Sequence, residues 1–154
     1  MPKIWTSLKN RRFEVDLVVN SVSNKEINLK DGFSCKALID TGTGATNSVI
    51  STKIVEKLKL ESRGKMKVST GSNSEDEFYT YMVALHLPTD LQQGIVSTPE
   101  GLKSRVFSSS FVTKITMVHG NEHTSSQGFD AIIGMDVLES GHCTIAGPNM
   151  VLSF

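Results

Sequence analysis

The feature that most constrains this chain is an apolar segment that ends in an acid, residues 33–40 (FSCKALID). Its alternate residues are apolar and would share one face of a strand: Phe33, Cys35, Ala37 and Ile39. Leu38 adds an apolar side chain to the opposite face just before Asp40, which is typical of a strand that enters a core. Residues 41–44 (TGTG) come next, and their glycines end the strand in a turn. The sequence therefore predicts a carboxylate held at the end of a buried strand and presented on a tight turn.

Other alternating segments predict a mainly β protein with two short helices. Strands are predicted at residues 13–19 and 33–39, in two hairpin arms at 65–69 and 79–87, and at 142–146 and 150–154. One or two more within residues 104–120 bring the total to about seven or eight. The hairpin tip is predicted at residues 70–76, and Pro88 is expected to end the second arm. Helical spacing predicts one helix of roughly two to three turns starting at Ser51 or Thr52, and another at residues 135–140 that Gly141 closes. Residues 89–128 are the least readable, although residues 104–120 are predicted to form one long strand or two.

Length and charge limit the class of protein. The 154 residues are predicted to form one domain, 1–154, which can bury a core without disulfides or metals. Lys plus Arg number 16 and Asp plus Glu number 16, so the formal net charge is zero. Because a general nucleic-acid binder has a basic excess, we expect no nucleic-acid partner. Cys35 and Cys143 lie in apolar, strand-like contexts and are predicted to be buried free thiols, with a disulfide as the open alternative.

Targeting and membrane segments are not evident in the sequence. Residues 1–15 (MPKIWTSLKNRRFEV) lack the apolar core of a signal peptide. No window approaches the roughly 18 apolar residues of a membrane span. We therefore expect a cytoplasmic protein, or one piece of a larger polyprotein, that has no membrane partner.

The Asp40-Thr41-Gly42 triplet gains meaning from two other segments. By itself it is weak evidence, because Asp-x-Gly is common in turns. Residues 49–51 (VIS) return to a strand and a helix, and residues 131–138 (AIIGMDVL) later place an apolar strand and a glycine before a second helix. This combination resembles the active-site framework of the retropepsin-like aspartic proteases, especially their bacterial and retroelement members. The resemblance extends from about Phe13 to Phe154 and is specific over residues 37–60 and 129–147.

The resemblance implies a closed β-barrel of the acid-protease fold that works as a homodimer, since the chain holds a single Asp-Thr-Gly. Asp40 would be the catalytic acid of each subunit. The active-site loop, which locks the two subunits together, would comprise Thr41, Gly42 and Thr43. The residues that line the cleft would be Ala45, Thr46, Ile132, Ile133 and Gly134. The flap would carry Thr70, Gly71 and Ser72.

A peptidase of this kind would use Asp40 and the partner subunit's Asp40 as a dyad that shares one proton and activates a water. It would need no metal, no cofactor and no nucleophilic Ser or Cys. The substrate would be an extended peptide or protein segment bound by strand addition. Two alternatives stay open. One is a catalytically weak or inactive dimeric peptide-binding or scaffold module of the same fold, and the other is an unrelated β-rich domain in which Asp40 only caps a turn.

Two features depart from the family pattern. Relatives commonly read Asp-Thr-Gly-Ala-Thr, whereas this chain reads Asp-Thr-Gly-Thr-Gly-Ala-Thr. Thr43 suits the fourth place of the pattern, but the two extra residues leave the cleft roles of Ala45 and Thr46 open. The interval from Asp40 to Gly134 is also longer than in the retroviral enzymes, so an insertion is expected within residues 89–128.

The remaining polar residues have plainer interpretations. His119 and His123 are interpreted as parts of a solvated loop rather than as a metal pair, because no third ligand lies nearby. His86 and His142 are expected to be packing or surface residues. Residues 75–77 (EDE) are expected to form a solvated edge, with a bias of the cleft toward basic substrates as the alternative.

Overall fold

The computed structural model describes residues 2–22, 27–41, 45–70, 74–89, 92–107, 110–122, 124 and 128–154. Within those ranges the chain forms twelve strands, two α-helices and one 3₁₀ turn at Leu29–Asp31. The strands are β1 (Lys3–Lys9), β2 (Arg12–Ser21), β3 (Phe33–Ile39), β4 (Val49–Ser51), β5 (Lys65–Thr70), β6 (Ser74–Thr89), β7 (Gln92–Thr98), β8 (Gly101–Phe107), β9 (Ser110–Asn121), β10 (Ala131–Ile133), β11 (His142–Ala146) and β12 (Asn149–Ser153). The helices are α1 (Thr52–Lys57) and α2 (Met135–Leu138).

The central sheet closes on itself. Its ten strands run in the order β11-β12-β1-β2-β3-β10-β4-β9-β6-β5, and an additional β2–β6 pairing joins two non-neighbours in that order. The ring β2-β3-β10-β4-β9-β6 is therefore a closed six-stranded barrel. The predicted fold class, a mainly β closed barrel with two short helices, is confirmed. The homodimer stays a prediction, as does the single domain over 1–154.

The barrel interior is filled by the apolar faces that the alternation predicts. On β2, the inward residues are Phe13, Val15, Leu17 and Val19, all buried. On the neighbouring strand β6, which pairs with β2, they are Val83, Leu85 and Leu87, each no more than 1% exposed. Burial of such side chains contributes about 1.5–3 kcal/mol each, so this interior is the main source of the barrel's stability.

Strand β10 occupies the position that matters for the predicted site. It lies between β3 and β4, parallel to β3 and antiparallel to β4. Because β3 and β4 are consecutive in the chain, the segment that joins them must pass the end of β10. That segment contains Asp40, and the strand beneath it is short and buried, with Ala131 and Ile133 each 1% exposed.

The β5–β6 hairpin forms where the sequence predicts it, with a shorter tip. Pairing continues to Thr70 opposite Ser74, so the tip is narrower than the predicted 70–76. Strand β6 also continues past Pro88 to Thr89. Pro88 is tolerated because the pairing of β2 with β6 ends at His86. Beyond that residue β6 pairs only with β9, so its other side is an edge that needs no N–H donor from Pro88.

Several local predictions are wrong. Helix α1 is shorter than predicted, and its N-cap Ser51 makes no side-chain capping hydrogen bond. Strand β1 was not predicted, because its outward residues, such as Trp5 at 60% exposure, hide the alternation. Cys35 and Cys143 are free thiols, as predicted, but neither is fully buried. Cys35 is half-buried, and Cys143 is exposed because β11 is an edge strand of the sheet.

The least readable region, residues 89–128, is also β-structured where it is described. Strands β7 and β8 pair with each other in a separate two-stranded sheet, and β9 pairs along β6. The segment for which the sequence predicts one strand or two therefore contains two, β8 and β9. An insertion within this region stays a prediction. In the described part of the chain, neither α-helix has the length and apolarity needed to cross a bilayer.

Candidate active site

Asp40 is held at the end of β3 by the strand beside it. Ile39 pairs in parallel register with Ile133, and the backbone N–H of Asp40 donates to the carbonyl of Ile133 at 3.1 Å. Asp40 is half-buried and Thr41 is exposed. The main chain that carries the acid is therefore fixed by β10 at the point where the loop begins.

The returning part of the loop is held by the start of α2. The N–H of Met135 donates to the carbonyl of Ala45 at 2.9 Å, and the N–H of Asp136 donates to that of Thr46 at 3.1 Å. The first N–H groups of a helix have no partner within it, and here loop carbonyls supply the acceptors in place of a side-chain cap. Both ends of the loop thus contact consecutive residues of one segment, 133–136.

Gly134 lies in close contact with residues 45–47 of the returning part of the loop. A Cβ at this position would lie 2.7 Å from the carbonyl oxygen of Ala45 and 2.8 Å from the carbonyl carbon of Asn47. Its backbone has an ordinary φ of −98°, so glycine is required by space rather than by conformation. The glycine of the AIIG segment therefore permits backbone-to-backbone contact with the loop.

Ser48 and Asp136 form a polar link that the sequence interpretation missed. The Ser48 N–H donates to Asp136 Oδ2 at 3.0 Å, and its hydroxyl donates to Oδ1 at 2.7 Å. The Gly134 N–H donates to the Ser48 hydroxyl oxygen at 3.0 Å. Ser48 is 1% exposed, so the link is shielded from water. The acid at the start of α2 was visible in the sequence, but its partner lies far away along the chain.

The interpretation of His119 as part of a solvated loop is wrong. It lies in β9, is only 5% exposed, and pairs with Val49 of β4. Its ring centroid is 5.2 Å from that of Phe78, and its Nδ1 atom has no hydrogen-bond partner. Burial lowers the pKa of His119, and the nearby Asp136 carboxylate opposes that effect in part. His119 is therefore a neutral packing residue beside the loop. The other candidate, His123, lies outside the described residues.

The structure describes some of the remaining predicted site residues and leaves others outside its described ranges. Ile132 is half-buried opposite Leu38, while Ala45 is half-buried and Thr46 exposed. Thr70 ends β5, and the other predicted flap and loop residues, Gly42, Thr43, Gly71 and Ser72, lie outside the described ranges. The structure thus brings Asp40, Ala45, Thr46 and Gly134 together around one loop.

Other chemistries have less support at this site. Burial raises the pKa of the Cys35 thiol to about 12, with Asp130 and Asp16 adding to the effect, so this thiol is not a thiolate nucleophile at neutral pH. Among the described residues, no three His, Cys, Asp or Glu side chains are grouped to hold a metal ion. The acidic residues 75–77 are exposed, as expected for a solvated edge.

Gly134→Ala should destabilise the protein, because the added methyl group meets immobile backbone atoms. We expect the free energy of unfolding to fall by about 1–3 kcal/mol in chemical denaturation. Gly120→Ala is the control, since its methyl group would meet only the side chains of Tyr81 and Val55, at 3.1 and 3.4 Å. Equal stability losses in the two variants would contradict the close approach at Gly134.

The burial of His119 predicts that the protein is less stable in mild acid. Its pKa is lowered from 6.5 in the folded state, so below about pH 6.5 the unfolded chain binds a proton that the folded chain does not. The free energy of unfolding should therefore fall as the pH drops below that value. His119→Gln should flatten this dependence in denaturation curves collected from pH 7.5 to 5. Burial also lowers the pKa of His86, so that residue should account for a remaining slope. A slope identical to that of the wild type would refute the assignment.

Comparisons of sequence and of structure with known proteins give different results for this chain. No protein-family model matches the chain, and no curated protein matches it. Among solved structures, the chain is similar to a retropepsin-like aspartic protease from Rickettsia conorii, with 15% sequence identity and a TM-score of 0.49. The match covers 97% of this chain and 89% of that one. This similarity is too distant to establish membership of a family.

Proposed function

We propose that this chain is an aspartic endopeptidase that acts as a homodimer, with Asp40 as the catalytic acid of each subunit. The observation that carries the proposal is the way in which β10 supports the main chain of Asp40. β10 is inserted between β3 and β4, and it holds the main chain of Asp40 through the carbonyl of Ile133 at 3.1 Å. A catalytic group needs such rigid support, whereas an acid that only caps a turn does not.

A second subunit is required because the reaction needs two carboxylates and the chain contains one Asp-Thr-Gly. A two-fold axis beside the loop would bring Asp40 next to the partner subunit's Asp40. Thr41, Gly42 and Thr43 would form the contact between the two loops. The exposure of Thr41 is compatible with this role.

In the proposed mechanism, the two carboxylates share one proton, because two negative charges this close resist joint ionisation. The ionised carboxylate removes a proton from a water held between them, and that water attacks the carbonyl carbon of the scissile peptide bond. The protonated carboxyl donates to the carbonyl oxygen as negative charge develops on it. Collapse of the tetrahedral intermediate breaks the C–N bond. The carboxyl that took a proton from water gives it to the leaving nitrogen, and a hydroxyl of the intermediate returns its proton to the other carboxylate, which restores the singly protonated dyad.

The substrate would be an extended peptide that pairs through its backbone with the cleft and the β5–β6 hairpin. Thr70, Gly71 and Ser72 would form the flap that covers it, and closure would exclude water from the reacting groups. Ala45 and Thr46 would line the cleft on the loop side. Ile132, Ile133 and Gly134 would support its floor.

The alternative proposal is a dimeric peptide-binding module of the same fold with little or no activity. It is favoured by the two extra residues between Gly42 and Ala45, because a lengthened loop can displace the water that the dyad must hold. In this case the peptide would bind in the same cleft without being cleaved.

Asp40→Asn should abolish peptide cleavage, because an amide can neither share the proton nor act as the base. We expect kcat to fall by about 10²-fold or more when a peptide library is assayed from pH 4 to 7. The exposed Asp16, which pairs with Lys36, supplies the matched control Asp16→Asn. Wild-type cleavage should resist chelators and be blocked by a statine-type peptide.

Cleavage by Asp40→Asn at the wild-type rate would refute the catalytic assignment. Absence of cleavage by both proteins, with a dimer in sedimentation and measurable peptide binding, would favour the binding module. A monomer at high concentration would rule out a site shared by two chains.

A further inference from the structure

We infer that Asp136 is a positioning residue for the catalytic loop and that it acts through Ser48. This inference rests on the proposed function, because it assigns Asp136 a part in the work of Asp40. Asp136 itself lies in α2 behind the loop, so it is not proposed to touch the substrate or the reacting water. Asp136 would affect the reaction by fixing the position of the loop and therefore that of Asp40.

The link between the two residues is a closed set of hydrogen bonds. The carboxylate of Asp136 accepts from the Ser48 N–H at 3.0 Å and from the Ser48 hydroxyl at 2.7 Å. The backbone N–H of Asp136 donates to the Thr46 carbonyl at 3.1 Å. The Ser48 hydroxyl also accepts from the Gly134 N–H at 3.0 Å. Asp136 therefore fixes both the main chain and the side chain of the last loop residue before β4.

The position of this link explains its consequence for Asp40. One end of the loop is held by the Ile133 carbonyl, and the other end is held at Ser48 by Gly134 and Asp136. Residues 133–136 are consecutive, so both described ends of the loop, Asp40 and residues 45–48, are located relative to one segment. If the bonds from Asp136 and Gly134 to Ser48 are lost, the return of the loop loses its side-chain link to α2, while the backbone bonds of Asp40, Ala45 and Thr46 stay in place. A displacement of about 1 Å in a reacting group can lower the rate about 10²-fold.

The chemistry of the link requires a carboxylate. Thr116 Oγ1 lies 3.4 Å from Asp136 Oδ2 as a further donor, so donors face both carboxylate oxygens. An ionised carboxylate only accepts, whereas the amide of asparagine would direct its NH₂ at a donor. Asp136→Asn therefore keeps the size of the side chain while it removes half of the acceptor pattern. Removing one partner leaves a buried donor unsatisfied, which is costly.

The test is a double-mutant cycle in peptide cleavage with Asp136→Asn and Ser48→Ala. Each single variant should lower kcat by about 10- to 100-fold and change KM by less than about threefold, because the peptide still binds while the acid is misplaced. The kcat of the double variant should lie within about threefold of the kcat of the less active single variant, since both changes break the same link. Independent, multiplicative losses would overturn the inference, and so would wild-type kcat in Asp136→Asn.

Asp130→Asn is the matched control. This acid also accepts from a β4 serine, Ser51, at 3.3 Å, but at the end of β4 away from the loop. We expect its kcat to stay within about twofold of the wild type, because the loop is held elsewhere. An equal loss of kcat in the control would show a general packing effect and would overturn the assignment of Asp136.

Amide hydrogen exchange separates this inference from the proposed function. In Asp136→Asn, exchange should accelerate at Ser48 and Gly134 and stay unchanged at Ser51, whether or not the wild type cleaves peptides. Unchanged exchange at Ser48 and Gly134 would overturn the inference at any level of activity. Wild-type protein that cleaves nothing would refute the proposed function alone. If Asp136→Asn does not fold, Ser48→Ala provides the same exchange test at Gly134, because it removes the acceptor of that N–H.

Discussion

The insertion of β10 between β3 and β4 is the constraint on which the site depends. Two strands that are consecutive in the chain are separated in the sheet by a third, so the segment that joins them must pass over its end. The end of β10 and the start of α2 then fix the loop. Ile133 holds its start, Met135 and Asp136 hold its returning carbonyls, and Gly134 supplies the space for that contact. The main chain of Asp40 is therefore held by a backbone hydrogen bond to β10.

This arrangement relates the energetics of the barrel to those of the site. The inner face of β10 contributes Ala131 and Ile133 to the same core that Leu85 and Leu87 fill from β6. Displacing β10 would therefore expose core side chains as well as free the loop, so the stability of the core resists movement of the loop. The return of the loop through Ser48 depends instead on polar contacts to Gly134 and Asp136.

The sequence predicts the elements with strong local signals and misses those that depend on distant partners. The alternation in β2 and the apolar run into Asp40 identify the barrel strands, because each pattern reflects one face that must be buried. Strand β1 shows no such pattern, since only Ile4 among its residues is buried. The burial of His119 depends on β4 and on Phe78 across the sheet, and the pairing of Ser48 with Asp136 joins residues 88 positions apart. No local pattern encodes such contacts, so only the folded chain reveals them.

The central claim is that each active site needs an Asp40 from both subunits. It is tested most directly by mixing wild-type protein with Asp40→Asn at equal amounts, allowing the subunits to exchange, and measuring cleavage at constant total protein. If both acids are required, only about a quarter of the dimers keep them, and activity should fall to about a quarter of that of the wild type alone. Activity of about one half would mean that each Asp40 works without the other, and it would contradict the shared site.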